Sequence, residues 1–241
     1  MRSCGGTEHL SGRTLYHSGQ TSDLLSVIRQ ITSQDRSLGS PGAPIFLAGF
    51  SLGGNVVLKL AGELAHSASH LIAGVMATST PIDLAACVRR LDKPSNLIYA
   101  RRFVDRLKER VRAKERLTPG LFDLTILDRV RNIYDFDDLI TAPAFAFGTA
   151  GNYYATQSSN QFLDRVRVPT LLVQSKDDPL IPFDVFDHPA IAANPHLRLI
   201  AVDHGGHLGF ISRARPRFWL DHVLVNWLLE VRNNVPAGLV S

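Results

Sequence analysis

Cysteine is scarce in this chain of 241 residues, which contains only Cys4 and Cys87. Two cysteines without metal-ligand spacing form neither a disulfide framework nor a zinc site, and this usage favours a reducing, cytoplasmic setting. No run approaches the roughly 18 uninterrupted apolar residues that a membrane-spanning helix needs. Residues 1–19 also lack the apolar core of a secretory signal, so we expect a cytoplasmic protein.

Positive charge is concentrated in one part of the chain. The net charge is +4, and most of the excess lies in the segment 89–116. Within it Phe103, Leu107 and Val111 recur every four residues, which predicts an amphipathic helix with a basic outer face. A weak contact of this face with an anionic membrane surface is one interpretation, but interleaved acidic residues favour a solvated helix. Zinc spacing and RNP-like aromatic patterns are absent from the sequence, so we expect no nucleic-acid partner.

Short apolar runs rich in branched residues alternate with longer stretches of helical spacing. Continuous apolar runs are typical of strands buried on both faces of a parallel sheet. The sequence therefore predicts an α/β fold with a mostly parallel sheet and helices on both faces. A charged, helix-rich segment from about Leu84 to Phe147 predicts a cap-like insertion. The predicted strands are APIFLAG (43–49), LIAGVMATS (71–79), VPTLLVQS (168–175) and LRLIAVDH (197–204), and helices are predicted near 23–31, 55–64 and 218–231.

One serine is flanked by glycines, in the stretch Gly49-Phe50-Ser51-Leu52-Gly53 between the first predicted strand and a helical stretch. Glycine at both offsets removes Cβ atoms that would clash in a sharp turn from strand to helix, and such a turn exposes a strained serine hydroxyl. The bare pattern also occurs by chance in glycine-rich loops. The strand before it and the helix after it favour a nucleophile at Ser51.

A serine nucleophile needs a histidine base, and the histidine needs a carboxylate that fixes its tautomer. Candidates for both follow the third and fourth predicted strands, whose carboxyl ends lie at the same sheet edge as Ser51. The adjacent Asp177 and Asp178 compete for the role of the acid. His204 and His207 compete for the role of the base, and two glycines directly before His207 favour it, because they let the loop turn its imidazole inward.

Seven stretches of the chain carry a family signature: RSCGG (2–6), LYHSGQTSDL (15–24), LAGFSLGGNVVLKLAGE (47–63), FDDLITAPAF (136–145), NYYATQSS (152–159), RVPTLLVQSKDDPLIP (167–182) and HGGHLGF (204–210). Together they resemble the YheT-like family of α/β-hydrolases, which is related to the eukaryotic abhydrolase-domain lipases and esterases. The resemblance implies serine hydrolase chemistry on carboxylic esters, acylated lipids included, without a cofactor. It implies that Ser51, Asp178 and His207 are nucleophile, acid and base, since Asp178 matches the D-x-x-x-P turn of the superfamily. It also assigns the backbone N–H of Leu52 to the oxyanion hole.

The family has a region before its R-x-C-G-G motif for which this sequence has no counterpart. The resemblance therefore implies a single, N-terminally incomplete domain over residues 1–241, without the early strands and without one oxyanion-hole loop. An apolar sheet edge would then be exposed, and we expect association with a partner or a second copy through it. Two alternatives to ester hydrolysis stay open: acyl transfer by the same three residues, and a truncated, non-catalytic binding protein.

The cap-like insertion is expected to cover the acyl pocket. Its candidate lining residues are aromatic, although aromatics at helical spacing also serve as core: Phe103, Phe145, Phe147, Tyr153 and Tyr154. Cys4 is expected to be a loop residue near the site and not a thiol nucleophile, because no base is placed beside it.

Overall fold

The computed structural model describes residues 6, 7, 9, 15–37 and 43–234. Within these ranges four strands form one sheet in the order β1-β2-β3-β4. Every neighbouring pair is parallel, as the continuous apolar runs predict. The strands are β1 Phe46–Phe50, β2 Gly74–Thr78, β3 Thr170–Ser175 and β4 Leu197–Val202. The predicted parallel α/β fold is confirmed.

The three helices predicted from spacing are present, although their ends differ from the prediction by a few residues. In chain order, the α-helices of the described ranges are α1 Thr21–Ser37, α2 Leu52–Leu64, α3 Leu84–Leu91, α4 Leu97–Leu117, α5 Ile133–Phe136, α6 Ala142–Ala144, α7 Ala150–Gln157, α8 Pro189–Ala193 and α9 Trp219–Asn234. Within the same ranges, no helix combines the length and the apolar character that crossing a bilayer requires.

The two central strands of the sheet, β2 and β3, are buried on both faces. Helix α9 contributes Leu224 and Trp227 to a core cluster with Met76 and Leu171, which face it from β2 and β3. Side chains alternate between the faces of a strand, so the next residues along each strand point the other way, and they are buried as well. Helix α2 packs against β1 and β2. This double cover explains why the strands are continuously apolar in sequence.

Strand β1 forms one edge of the sheet. Among the described residues, only β2 pairs with it, and Phe50 at its carboxyl end is 45% exposed. Unpaired N–H and C=O groups along such an edge are able to pair with another chain. Association through this edge stays a prediction.

Residue contacts divide the chain into two units. The sheet unit comprises Ser18–Asp83 and Ser158–Ser241. The helical unit comprises Met1–His17 and Leu84–Gln157. Its second segment starts at Leu84 and extends beyond Phe147, the end expected for the insertion. A role of the helical unit as a cap stays a proposal.

Helix α4 packs inward two of the three apolar residues expected there. Val111 is buried and Leu107 packs against the same core cluster, but Phe103 is 43% exposed and Val104 is buried in its place. A helix repeats every 3.6 residues, so a strict four-residue step drifts around it. Alternating steps of four and three residues keep Ala100, Val104 and Val111 on one side. Val104 and Val111 accordingly belong to the core cluster of the helical unit.

The exposed face of α4 is basic, as the sequence predicts. Arg101 and Arg102 are exposed, and Arg106 forms an exposed ion pair with Glu109 at 3.0 Å. Exposed pairs of this kind contribute little to stability, but they partly neutralise the face. Weak contact with an anionic membrane surface stays a prediction.

A buried carboxyl group lies in the helical unit at Asp137, in a π-helical turn over Asp137–Thr141. Its Oδ2 accepts a hydrogen bond from the Tyr154 hydroxyl at 2.7 Å. Burial raises the pKa of Asp137 to about 6, because removal from water disfavours the charged form. The folded unit therefore binds this proton more tightly than the unfolded chain does. The resulting stability is present below the ordinary pKa of about 4 and is lost as the pH rises through about 6.

We expect Asp137→Asn to stabilise the helical unit at about pH 8 by up to about 3 kcal/mol, since the variant has no buried charge to form. The asparagine carbonyl oxygen still accepts a hydrogen bond from Tyr154. At about pH 4 the wild-type carboxyl is protonated, so the two proteins should then unfold at similar temperatures. Thermal unfolding followed by circular dichroism at both pH values measures the difference. A variant less stable than the wild type at about pH 8 would contradict this account.

Candidate active site

Ser51 lies in the turn between β1 and α2, at the carboxyl edge of the sheet. Its φ is +50°, a left-handed conformation that residues with a Cβ atom rarely adopt. The Ser51 N–H donates to the Thr78 carbonyl oxygen of β2 at 2.9 Å, and the Ser51 carbonyl oxygen accepts from the Gly54 N–H at 2.9 Å. Such backbone strain persists only where the surrounding structure imposes it, and it is concentrated at functional sites.

Two glycines allow the strand and the helix to approach closely at this turn. One is Gly49, as predicted, and the other is Gly54 instead of the predicted Gly53. A Cβ atom at Gly49 would lie 2.3 Å from the Gly53 carbonyl oxygen, so glycine is required there. The prediction that Gly53 removes a second clash is wrong, because a Cβ atom there meets no described atom within 4 Å. The second close approach is one residue further on, where a Cβ atom at Gly54 would meet Thr80 Oγ1 at 2.0 Å.

His207 lies within hydrogen-bond distance of both Ser51 and Asp178. Its Nε2 is 2.9 Å from Ser51 Oγ, and its Nδ1 is 2.9 Å from Asp178 Oδ2 and 3.2 Å from Asp178 Oδ1. When the neutral imidazole carries its proton on Nδ1, that N–H donates to the carboxylate, and Nε2 accepts from the serine hydroxyl. The three residues singled out in the sequence therefore form one hydrogen-bonded series. Their catalytic roles stay a prediction.

Asp178 is held rigidly, and its side chain is 0% exposed. Its Oδ1 accepts hydrogen bonds from the backbone N–H groups of Leu180 at 2.8 Å and Ile181 at 3.1 Å. Its Oδ2 accepts from Gln174 Nε2 at 3.1 Å. A buried carboxylate needs such donors, because it has lost its hydration. They fix the carboxylate, and the carboxylate orients the imidazole of His207.

The competing candidates occupy other positions. Asp177 accepts hydrogen bonds from the backbone of the loop that carries His207. The His204 side chain is 90% exposed, and its Nδ1 lies 3.3 Å from Asp177 Oδ2. The residues that the structure places in a series with Ser51 are therefore Asp178 and His207.

Two residues at the end of β3 support this series and were missed from the sequence. Gln174 donates to Asp178, and the Ser175 hydroxyl donates to the Gly206 carbonyl oxygen at 2.5 Å. Both side chains are buried. The available signal was their polarity, since they end a mostly apolar run one residue before the acidic pair.

The predicted oxyanion donor, the backbone N–H of Leu52, belongs to the first residue of α2. The first N–H groups of a helix have no intrahelical acceptor, so they are free to bind an anion. Its oxyanion role stays a prediction.

Cys4 lies outside the described residues, and Cys87 is buried in α3. In the part of the chain that the structure describes, no group of three or more His, Cys, Asp or Glu side chains is placed to hold a metal ion.

The five aromatic residues proposed to line the acyl pocket all lie in the helical unit, and they differ in how deeply they are buried. Tyr153 and Tyr154 are buried. Tyr153 stacks on Phe147 with ring centroids 5.1 Å apart, as expected of core aromatics. Phe145 and Phe147 are half-buried, and Phe103 is exposed on α4. A role in lining a pocket stays a prediction for all five.

Sequence comparisons identify the fold family and the relatives of this chain. A family model described as the alpha/beta hydrolase fold matches residues 1–214. YheT of Escherichia coli is 34% identical over 95% of this chain and 66% of its own length. Phospholipase ABHD3 of Mus musculus is 28% identical over 90% of this chain and 51% of its own, and monoacylglycerol lipase of Saccharomyces cerevisiae is 26% identical over 89% and 47%. The chain thus spans about half to two thirds of the length of these relatives.

Solved structures that superpose on this chain have the same fold. The esterase Pf2001 of Pyrococcus furiosus superposes with a TM-score of 0.51 at 14% identity, over 92% of this chain and 65% of its own. The acylaminoacyl peptidase of Pyrococcus horikoshii superposes with a TM-score of 0.53 at 13% identity, over 90% and 28%. At such low identity these similarities concern the fold alone. Taken with the family model and the parallel sheet, they show that the chain belongs to the alpha/beta hydrolase fold family.

Proposed function

We propose that this protein is a serine hydrolase that cleaves carboxylic esters through an acyl-enzyme. The single observation that carries the proposal is the contact of His207 with two groups at once, Ser51 Oγ on one ring nitrogen and Asp178 on the other, each at 2.9 Å. A serine hydroxyl is a weak nucleophile at neutral pH unless an adjacent base accepts its proton. This arrangement supplies the base and the group that orients it.

In the acylation step, Ser51 Oγ attacks the ester carbonyl carbon while its proton passes to His207 Nε2. Asp178 stabilises the imidazolium that forms and keeps its proton on Nδ1. The backbone N–H of Leu52 donates to the carbonyl oxygen as negative charge develops on it. The tetrahedral intermediate then collapses: the carbon–oxygen bond to the leaving alcohol breaks, and that oxygen takes the proton from His207. The acyl group remains as an ester on Ser51.

In the deacylation step, the same base activates water. His207 Nε2 takes a proton from the water, whose oxygen attacks the acyl carbon. When the second intermediate collapses, Ser51 Oγ leaves and recovers the proton from His207, and the carboxylic acid is released. Each catalytic group returns to its starting protonation state, so the cycle needs no cofactor.

Two relatives are named as a phospholipase and a monoacylglycerol lipase. We therefore propose acylated lipids as the substrate class. Acyl transfer to an alcohol uses the same acyl-enzyme and differs only in the acceptor of the deacylation step. The products distinguish the two reactions.

Release of p-nitrophenol from p-nitrophenyl butyrate tests the proposal, with the acids and esters formed in the presence of glycerol identified by mass spectrometry. We expect saturable hydrolysis, and His207→Ala should lower kcat by about 10⁶-fold, because Ser51 loses its base. His204→Ala, a change of the same kind three residues away, should leave kcat within about twofold, since that side chain is exposed.

Three results separate the alternatives. Equal loss of activity in the His207 and His204 variants would contradict the assigned base. Glycerol butyrate as the main product would favour acyl transfer. A folded wild-type protein that releases no p-nitrophenol above the uncatalysed rate would favour the non-catalytic alternative.

A further inference from the structure

The turn that follows β3 contacts the loop that follows β4 at consecutive positions. Ser175 donates from its hydroxyl to the Gly206 carbonyl oxygen, and Asp178 contacts His207. Between them, Asp177 Oδ1 accepts hydrogen bonds from the N–H groups of Gly205 at 2.9 Å and Gly206 at 2.8 Å. The two adjacent aspartates thus have different partners: one holds the imidazole and the other holds the backbone that carries it.

The loop held by Asp177 has a backbone conformation that needs support. Gly206 has a φ of +59°, which is open to glycine and rare for other residues. A Cβ atom at Gly205 would lie 2.7 Å from the ring of Phe210, so the loop packs closely against that ring. Glycine has many other conformations open to it, and ordering two in succession is entropically costly. Two hydrogen bonds from one carboxylate oxygen select a single conformation of this pair.

The charge on Asp177 strengthens these bonds. The N–H groups of Gly206 and Gly205 are among the donors that hold the pKa of the Asp177 carboxyl below its ordinary value, so it is ionised at neutral pH. Hydrogen bonds to an ionised acceptor are about twice as strong as neutral ones. Because the Asp177 side chain is 42% exposed, its removal leaves no buried cavity.

We propose that Asp177 is a positioning residue for His207: it fixes the Gly205–Gly206 backbone and thereby sets the imidazole at hydrogen-bond distance from Ser51 and Asp178. This inference rests on the proposed function. The distances show why a modest displacement matters. Both contacts of the imidazole are 2.9 Å long, and a misplacement of about 1 Å in a catalytic group lowers rates by about 100-fold.

Three single variants test this role in the p-nitrophenyl butyrate assay. Asp177→Ala should lower kcat by about 10- to 100-fold with KM within about twofold, because the support acts on the base and not on substrate binding. Asp177→Asn should recover kcat to within about threefold, since its carbonyl oxygen still accepts both N–H groups. Asp203→Asn is the matched control: it removes a carboxylate of the loop that carries His207, which forms an ion pair with the exposed Lys176 at 2.8 Å, and it should leave kcat unchanged.

A second readout is independent of activity. The amide hydrogens of Gly205 and Gly206, followed by NMR, should exchange about tenfold faster or more in Asp177→Ala and should keep their protection in Asp177→Asn. The melting temperatures of the variants should stay within a few degrees of the wild type, because the side chain is partly exposed.

Each outcome supports or overturns the inference. Wild-type kcat in Asp177→Ala overturns it, and so does an equal loss in the alanine and asparagine variants. A wild-type protein inactive toward the ester defeats the proposed function separately. In that case unchanged amide exchange in Asp177→Ala also overturns the inference, whereas faster exchange supports the contact that Asp177 makes.

Discussion

Replacement of Gly49 by alanine should destabilise the sheet unit by about 3 kcal/mol or more and lower its melting temperature by about 6–12 °C. The added Cβ atom would lie 2.3 Å from the Gly53 carbonyl oxygen, 2.6 Å from the Gly53 carbonyl carbon and 2.7 Å from the Gly54 Cα atom. All three are backbone atoms of the first turn of α2. No side-chain rotation relieves such a clash, so the strand and the helix must move apart. Thermal unfolding followed by circular dichroism measures the loss.

Gly53→Ala is the matched control, because it makes the same change at the other glycine of the same motif. A Cβ atom at Gly53 meets no described atom within 4 Å, and alanine favours a helix over glycine by up to about 1 kcal/mol. We expect this variant to be as stable as the wild type or slightly more stable. Equal destabilisation by the two substitutions would show that the requirement lies in the motif as a whole and not in the contact at Gly49.

The sequence was sufficient to predict the sheet. Strands β2 and β3 are buried along their whole length, and apolar residues predominate in all four strands, so each strand leaves a mostly apolar run between turn residues. The carboxyl-edge rule for parallel sheets then places the residues after β1, β3 and β4 together. That rule indicated Ser51 and two short candidate segments containing its partners, without any knowledge of side-chain directions.

The finer choices depended on information that single residues do not carry. Asp177 and Asp178 are chemically identical, and only the direction of each side chain separates the one that meets His207 from the one that holds the loop. Gly53 and Gly54 are distinguished by which Cβ position faces Thr80 across the turn. These are properties of packing between segments distant in sequence. The resemblance to a family turn favoured Asp178, whereas the two aspartates by themselves left the choice open.

The expected burial of Phe103 failed for a different reason. A four-residue step suits a helix over one or two turns, and its drift becomes visible only over the full length of α4. Phe103 is 43% exposed despite its size, so its position on the helix decides its burial.

Replacement of Ser51 by alanine should abolish covalent modification by a fluorophosphonate. In the wild type a phosphorus–oxygen bond forms at Ser51 Oγ, fluoride leaves, and the serine proton passes to His207. Without the hydroxyl no bond forms at this position, and loss of a triad nucleophile costs about 10⁶-fold in rate. Alanine keeps the Cβ atom and fits the same backbone, so the fold should be retained.

Ser79→Ala is the matched control for Ser51→Ala. It follows β2 as Ser51 follows β1, it has the same φ of +50°, and its side chain is buried. Its hydroxyl has no hydrogen-bond partner among the described residues, so no base is placed to activate it. Ser79→Ala should therefore leave modification unchanged. That result would show that backbone strain after a strand is not sufficient for reactivity. It would also show that the contact with His207 is required.

The most direct test of the assigned nucleophile is the intact mass of the wild type, Ser51→Ala and Ser79→Ala after incubation with the same fluorophosphonate. We predict one adduct on the wild type and on Ser79→Ala, and none on Ser51→Ala. Circular dichroism of each sample establishes that the proteins are folded. A folded wild type without an adduct, or an adduct that persists on Ser51→Ala, would contradict the assignment of Ser51 as the activated nucleophile.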